Sequence, residues 1–202
     1  MTSTVSRLVL ASASPARLTT LRSAGLAPDV VVSGVDESTV TTRDPASLAV
    51  ELATLKARAV AGRVADALVI GCDSVLELDG EVHGKPGTAA EAVRRWRAMR
   101  GRSGVLHTGH CVVDTGTGRE LARPACTVVH FADLSDTEIE AYVDTGEPLQ
   151  VAGAFTVDGL GGAFVTGIEG DPHNVVGISL PLLRTMLAEL GVSWTDLWER
   201  SA

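Results

Sequence analysis

Small polar residues and one arginine follow the first apolar segment, residues 7–11, which is typical of a short buried strand. Ser12 and Ser14 come directly after it, and Pro15 stands at the first position of a predicted helix that carries Arg17 in its first turn. The unpaired N–H groups of a helix start favour anions, and Arg17 adds a cation. These residues predict an anion-binding corner. Ser14 acting only as the helix cap is the alternative, and it explains one of the two serines.

A carboxylate lies at the end of a second apolar segment. Residues 67–72 predict a buried strand, and Asp73 follows it, at the edge where ligands bind in open α/β sheets. Asp73 can hold a metal ion or accept a proton from water there, whereas capping of the following turn is the alternative. The turn Asp79-Gly80 predicts a hairpin that folds back and brings Lys85 towards Asp73. An ammonium group beside a carboxylate suits neutralisation of phosphate charge.

The chain uses lysine at only two positions, Lys56 and Lys85, whereas fifteen arginines supply the rest of its positive charge. The lysines are therefore candidates for places that need a compact ammonium group, with chance placement on solvated helix faces as the alternative. Lys56 lies within a helix predicted to begin at Asp44-Pro45, and Glu37 lies in the loop after the second strand signal.

Composition excludes several classes of protein. The 202 residues carry a formal net charge of −8 at a pI near 5.1, which argues against nonspecific binding to nucleic acid or to anionic membranes. The three cysteines have no CxxC spacing, so a disulfide framework and a zinc ribbon are both disfavoured. No apolar run reaches the roughly 18 residues of a membrane span, and residues 1–10 lack the layout of a signal peptide. We expect a soluble, cytoplasmic protein with no membrane partner.

Strand and helix signals alternate along the chain. Hairpins and crossover helices both occur, which predicts an α/β fold with strands in mixed directions. Residues 152–178 are rich in glycine and are expected to be irregular. The remaining strand signals cover residues 30–32, 105–113 and 124–132. The remaining helix signals cover residues 88–100, 135–146, 181–190 and 194–200, and the first two of these begin with predicted capping boxes, Thr88 with Glu91 and Ser135 with Glu138.

Six short motifs in this order resemble the Maf proteins, which are nucleoside triphosphate pyrophosphatases of the inosine-triphosphatase-like fold. Glu37 and Lys56 also match family positions. Asp158 stands where many members have Gln, and Ala16 and Gly104 replace a usual Arg and His. The motifs are Leu10-Ala11-Ser12-Ala13-Ser14-Pro15-Ala16-Arg17, Gly71-Cys72-Asp73-Ser74, Gly84-Lys85-Pro86, Gly101-Arg102 with Thr108-Gly109, Glu147-Pro148 with Gly153-Ala154-Phe155, and Asn174-Val175-Val176-Gly177.

The resemblance implies one Maf-like domain over residues 1–202, with a mixed twisted sheet in two lobes and a nucleotide in the cleft between them. It implies hydrolysis between the α- and β-phosphates of a nucleoside triphosphate, a divalent cation (Mg²⁺ or Mn²⁺) and a homodimer. The site residues that it implies are Asp73, Lys56 and Lys85 for catalysis, Ser12, Ser14, Arg17 and Asp158 for substrate binding, and Glu37 with Asp73 for the metal.

Two other functions stay open at this point. The chain is alternatively a nucleotide-binding regulator of cell division with weak or incidental hydrolysis, and the departures at Ala16 and Gly104 motivate that hypothesis. A phosphatase that releases orthophosphate is the third. The products formed from a panel of nucleotides distinguish the three.

Overall fold

The structure, a computed structural model, describes residues 7–199. Their contacts separate into two compact units. The first unit comprises residues 7–73, 108–125 and 177–199, and the second comprises residues 74–107 and 126–176. Two sequence predictions fall partly outside the described residues: the last predicted helix, which ends at Arg200, and the N-terminal segment considered as a signal peptide, of which residues 1–6 are not described.

Within residues 7–199, seven strands form one mixed sheet in the order β2-β1-β3-β5-β6-β7, with β4 paired to β3. β1 pairs in parallel with both β2 and β3, whereas β3–β4 and β6–β7 are antiparallel. The mixed α/β sheet predicted from the sequence is therefore confirmed. The strands are β1 (Arg7–Leu10), β2 (Asp29–Val30), β3 (Ala67–Leu78), β4 (Glu81–His83), β5 (Ser103–Asp114), β6 (Glu120–Phe131) and β7 (Val165–Glu169).

The described residues form six α-helices, and the five helices of nine residues or more each begin at a capping side chain. The side chains of Ser14, Asp44, Thr88, Ser135 and Ser179 each accept an N–H bond at a helix start. The helices are α1 (Pro15–Ser23), α2 (Pro45–Ala61), α3 (Ala89–Met99), α4 (Asp136–Asp144), α5 (Pro172–Val176) and α6 (Leu180–Glu189), and the 3₁₀ helices are Glu37–Thr39, Glu147–Gln150, Ala152–Ala154, Leu160–Phe164 and Trp194–Leu197.

Each unit has its own apolar core. In the first unit, side chains of β1 and β3 such as Leu10 and Ile70 pack with Met186 and its neighbours on α6. In the second unit Trp96 of α3 is fully buried and meets the ring of Phe131 edge-on. Within residues 7–199, no helix combines the length and the apolar character needed to cross a membrane.

Three predicted elements need correction. β3 does not end at residue 72 but continues to Leu78, so Asp73 lies within the strand, because pairing with its neighbours extends β3 past the point where apolar residues stop. β2 covers only Asp29–Val30 rather than residues 30–32. The region 152–178 is not wholly irregular, since it contains β7 and α5, which the many glycines concealed.

Candidate active site

Two glycines let helix α2 lie directly against the strands of the first unit. A Cβ at Gly109 of β5 would stand closer than 3.0 Å to the carbonyl oxygen of Ala49, and a Cβ at Gly71 of β3 would be 2.8 Å from the Ala57 nitrogen. Cβ atoms in proteins essentially never approach other atoms so closely. The missing side chains thus allow the backbone of α2 to touch the sheet, which places the helix over the strand that carries Asp73.

Lys56 projects from α2 into a pair of carboxylates. Its Nζ lies 2.5 Å from Asp73 Oδ1 and 2.8 Å from Glu37 Oε1. The side chains of Lys56 and Asp73 are 12% and 13% exposed, whereas Glu37 is 55% exposed. A largely buried ammonium group between two carboxylates costs desolvation energy that only close pairing offsets. The structure therefore brings together three of the predicted site residues, and Lys56 is not a solvated helix cation.

The start of α1 forms a second polar corner of the first unit. Ser12 Oγ accepts bonds from the Ser14 N–H at 3.1 Å and from Arg17 Nη1 at 3.2 Å. Ser14 Oγ accepts the Arg17 N–H at 3.4 Å, so Ser14 caps the helix as the alternative interpretation held. Arg17 Nε also donates to the carbonyl of Gly177, which belongs to the same unit, at 2.8 Å.

The buried thiol of Cys72 lies within electrostatic reach of both groups. Its pKa is raised to about 12, chiefly by burial. The positive charges of Arg17 and Lys56 lower this pKa and the Asp73 charge raises it, but each of these effects is smaller than that of burial. The strand register places the two groups near each other. Leu10 of β1 lies opposite Ile70 of β3 in a parallel pair, and the Ala11 N–H donates to the Ile70 carbonyl at 2.8 Å. The residues Ser12 and Arg17 that follow β1 (the Ser12–Arg17 corner) therefore lie in the same region of the first unit as Lys56, Asp73 and Glu37 (the Lys56 cluster). Among residues 7–199, no group of three or more His, Cys, Asp or Glu side chains could hold a metal ion by itself.

Lys85 and Asp158 belong to the second unit. Lys85 is exposed and follows β4, and Asp158 is exposed in the segment between two 3₁₀ helices, residues 152–154 and 160–164. Their participation in the site stays a prediction, as do the individual roles of the residues in the first unit.

Glu147 organises the segment that carries Asp158. Its Oε1 accepts bonds from the Tyr142 hydroxyl at 2.9 Å and the Gly161 N–H at 3.0 Å, and its Oε2 accepts the Leu160 N–H at 3.0 Å. The Thr156 hydroxyl also donates to Oε1, at 2.5 Å. Burial alone would raise the pKa of Glu147, but these bonds outweigh it and lower the pKa below its usual value. The sequence placed this glutamate in a motif without showing its structural role.

We expect Glu147→Gln to lower the free energy of unfolding by about 1–3 kcal/mol near neutral pH, because an amide NH₂ would face N–H and O–H donors. The lowered pKa predicts the sign of the pH dependence. The contribution of Glu147 to the free energy of unfolding is complete above the pKa that this carboxyl has in the unfolded state. It is lost as the pH falls through the lower pKa of the folded state. Urea unfolding at a series of pH values should therefore show a smaller difference between wild type and variant below about pH 4.5. A constant difference would contradict this role for the carboxylate.

Comparison with known proteins identifies the family of this chain. The family model of Maf-like protein matches residues 7–190. The chain belongs to the Maf family. The resemblance to the Maf proteins that the sequence motifs indicate is thus confirmed.

Several curated relatives of this Maf chain carry the name nucleoside triphosphate pyrophosphatase. The chain is 62% identical to the protein from Salinispora tropica, over 96% of this chain and 88% of that protein. It is 61% identical to the one from Streptomyces coelicolor, over 95% and 94% of the two chains. It is 50% identical to the one from Nostoc punctiforme, over 95% and 97%.

Sequence reasoning missed what the glycines of β3 and β5 do for this Maf site. Gly71 and Gly109 were noticed as parts of motifs, but their contact with α2 was not predicted. A signal was present, since Ala49, Ala53 and Ala57 recur every four residues and form a stripe of small, fully buried side chains on α2. Such a stripe indicates a helix that packs very closely against its neighbour.

Proposed function

We propose that this chain is a nucleoside triphosphate pyrophosphatase that hydrolyses the bond between the α- and β-phosphates, releasing a nucleoside monophosphate and pyrophosphate. The observation that carries the proposal is the largely buried Lys56, paired with Asp73 and Glu37 in the same region as Ser12 and Arg17. The name of its curated relatives supports the same activity.

The charges of the site match those of the substrate. A triphosphate carries about four negative charges at neutral pH, and this chain has a net charge of −8, so binding requires local positive charge. Arg17 and Lys56 supply it in the first unit, and we propose that Lys85 adds a third cation. The Ser12 hydroxyl accepts two bonds and keeps its own O–H to donate to a phosphate oxygen.

Glu37 and Asp73 fit a divalent cation. Both present carboxylate oxygens to one cationic group, the Lys56 ammonium. Oxygen ligands of this kind suit Mg²⁺ or Mn²⁺, and Mg²⁺ is commonly bound by one or two carboxylates together with substrate phosphates. We propose that these two residues hold the ion, which when bound supplies neutralisation of phosphate charge.

The side chains divide the hydrolysis step among them. Lys56 binds Oδ1 of Asp73, which leaves Oδ2 to accept a proton from the attacking water. The water oxygen bonds to phosphorus while the bridging P–O bond breaks, and the electron pair leaves with pyrophosphate. The Lys56 ammonium keeps Asp73 oriented and offsets charge on the phosphates. We propose that Asp158 contacts the nucleobase or the metal, at the position where many members have Gln.

The proposal extends to the cell and to partners. We propose a cytoplasmic enzyme, which the buried thiols of Cys72 and Cys111 support because such thiols suit a reducing compartment. The acidic net charge supports the absence of a nucleic-acid partner. A homodimer is proposed on the family resemblance alone.

A panel of nucleoside triphosphates tests the activity. Each nucleotide is incubated with the protein and Mg²⁺ or Mn²⁺, and the products are identified. We expect equal amounts of nucleoside monophosphate and pyrophosphate from at least one nucleotide. Tight nucleotide binding without release would favour the cell-division regulator instead, and orthophosphate as the product would favour a phosphatase. Either result would overturn the proposed pyrophosphatase activity.

A further inference from the structure

Three side chains from adjacent strands of the second unit form a continuous chain of hydrogen bonds. Cys126 Sγ of β6 lies 3.2 Å from Nδ1 of His107 on β5. The opposite ring nitrogen of His107, Nε2, lies 2.7 Å from Glu77 Oε2 on β3. None of these residues belongs to the candidate active site. Because the imidazole stands between its two partners, the three groups do not converge on one point as metal ligands would.

The sheet itself fixes the contact between the thiol and the imidazole. Ser103 Oγ of β5 lies 2.6 Å from His130 Nδ1 of β6, so these residues are cross-strand neighbours. Moving four residues along each of the antiparallel strands leads from this pair to His107 and Cys126. Side chains alternate between the two faces of a sheet, so an even step returns to the same face. The positions of both groups thus follow from strand register and do not depend on a loop.

The partners of His107 determine where its proton lies. The Glu77 carboxylate is an acceptor, so Nε2 carries the hydrogen and Nδ1 presents its lone pair to the thiol. Transfer of the thiol proton to Nδ1 forms a thiolate beside an imidazolium ion, which Glu77 stabilises as the orienting acid of the pair. The His107 side chain is 10% exposed, so the imidazole is largely shielded from water, whereas Cys126 is exposed and can meet a dissolved reagent.

The other two cysteines have the opposite environment. Cys72 and Cys111 are buried, and burial raises the pKa of each thiol to about 12. A buried, protonated thiol is a poor nucleophile. The chain therefore contains one exposed cysteine with a base beside it and two internal controls of low reactivity.

We propose that Cys126 is a redox-modification site that takes a small-molecule disulfide, with His107 as its base and Glu77 as the positioning residue. The Cys126 thiol loses its proton to His107, and the thiolate attacks one sulfur of the disulfide. A protein–small-molecule S–S bond forms while the original S–S bond breaks. The departing thiolate takes the proton back from His107. The Cys126 sulfur is oxidised, one sulfur of the small disulfide is reduced to a thiol, and the other sulfur stays at the disulfide level in the mixed disulfide.

Glutathione disulfide and the intact chain test the proposal. Arginines separate the three cysteines, so trypsin releases each in its own peptide for mass spectrometry. At pH 7 we expect Cys126 to acquire the adduct before Cys72 and Cys111. The adduct should form on Cys126 about 3–10-fold faster in wild type than in His107→Gln. The factor is modest because a thiol with a lower pKa forms more thiolate, but that thiolate is a weaker nucleophile. Near pH 10, above the ordinary thiol pKa of about 8.5, the two rates should converge.

His130→Gln is the matched control, because His130 lies on the same strand face and binds Glu169 at 2.9 Å but does not contact the thiol. It should react like wild type at pH 7. Equal rates of adduct formation for wild type and His107→Gln at pH 7 would overturn the proposal. A difference in rate that persists near pH 10 would also overturn it, because such a difference indicates altered access of the reagent to Cys126. If His107→Gln unfolds, labelling of the buried Cys72 reveals the unfolding. Glu77→Gln then provides the same comparison, with a smaller expected loss in the rate of adduct formation at pH 7.

Discussion

Asp73→Asn is expected to lower the turnover of a nucleoside triphosphate by about 10²–10⁴-fold, the usual contribution of a positioned general base. The amide keeps the size of the side chain but cannot accept the proton of the attacking water. Lys56 retains its contact with Glu37 at 2.8 Å, so a cation for the phosphates remains in place. The measurement is the rate of pyrophosphate release at saturating nucleotide, together with nucleotide binding by calorimetry.

Asp66→Asn is the matched control for this substitution. Asp66 is exposed, belongs to the same unit and has a positive φ of 51°, a conformation that Asn tolerates well. The control should keep full turnover and the same free energy of unfolding. Full activity in Asp73→Asn would remove Asp73 as the base. Loss of binding with unchanged turnover at saturation would assign it to substrate affinity instead.

Gly109→Ala is expected to destabilise the protein by about 3 kcal/mol or more, at the upper end of the cost of overpacking a core. The new Cβ would press on the carbonyl oxygen of Ala49, which is backbone and cannot rotate away. Helix α2 would have to move off the sheet, and Lys56 would move with it away from Asp73. Urea unfolding should show a lower midpoint, and pyrophosphate release should fall in the protein that remains folded.

Gly62→Ala separates this packing effect from the general effect of replacing glycine. Gly62 caps the same helix with helical angles, φ −67° and ψ −6°, and a Cβ there would meet only the Arg58 carbonyl oxygen at an ordinary 3.7 Å. It should be neutral or stabilising by up to about 1 kcal/mol. If Gly109→Ala unfolds at the same urea concentration as Gly62→Ala, close packing of α2 does not hold the site together.

The helix starts could be predicted from the sequence because their determinants lie within a few residues. Ser135 and Glu138 form the predicted capping box of α4 in full. At α3 only half of the predicted box is present. Thr88 caps the helix, but the Glu91 carboxylate binds Arg94 and Arg95, which offer stronger, charge-assisted bonds than a backbone N–H.

The strand ends were harder to predict, because a strand is stabilised by partners that are distant along the chain. The apolar run that ends at Cys72 suggested that Asp73 begins a loop. Pairing within the sheet carries β3 through Asp73 to Leu78 instead, and the turn at Asp79-Gly80 then leads into β4 as predicted. Asp73 interrupts the apolar run of β3 but does not end the strand.

The sequence alone determined the residue types available for chemistry, the local elements that carry them and the family to which the motifs belong. Only the tertiary structure decided that Lys56 turns towards Asp73 and Glu37, and that Cys126 meets His107. Caps and turns depend on bonds between near neighbours in the chain, so their pattern is visible in the sequence. The meeting of distant side chains depends on which strands α2 packs against and on the register of β5 with β6, and neither can be read from a single short segment.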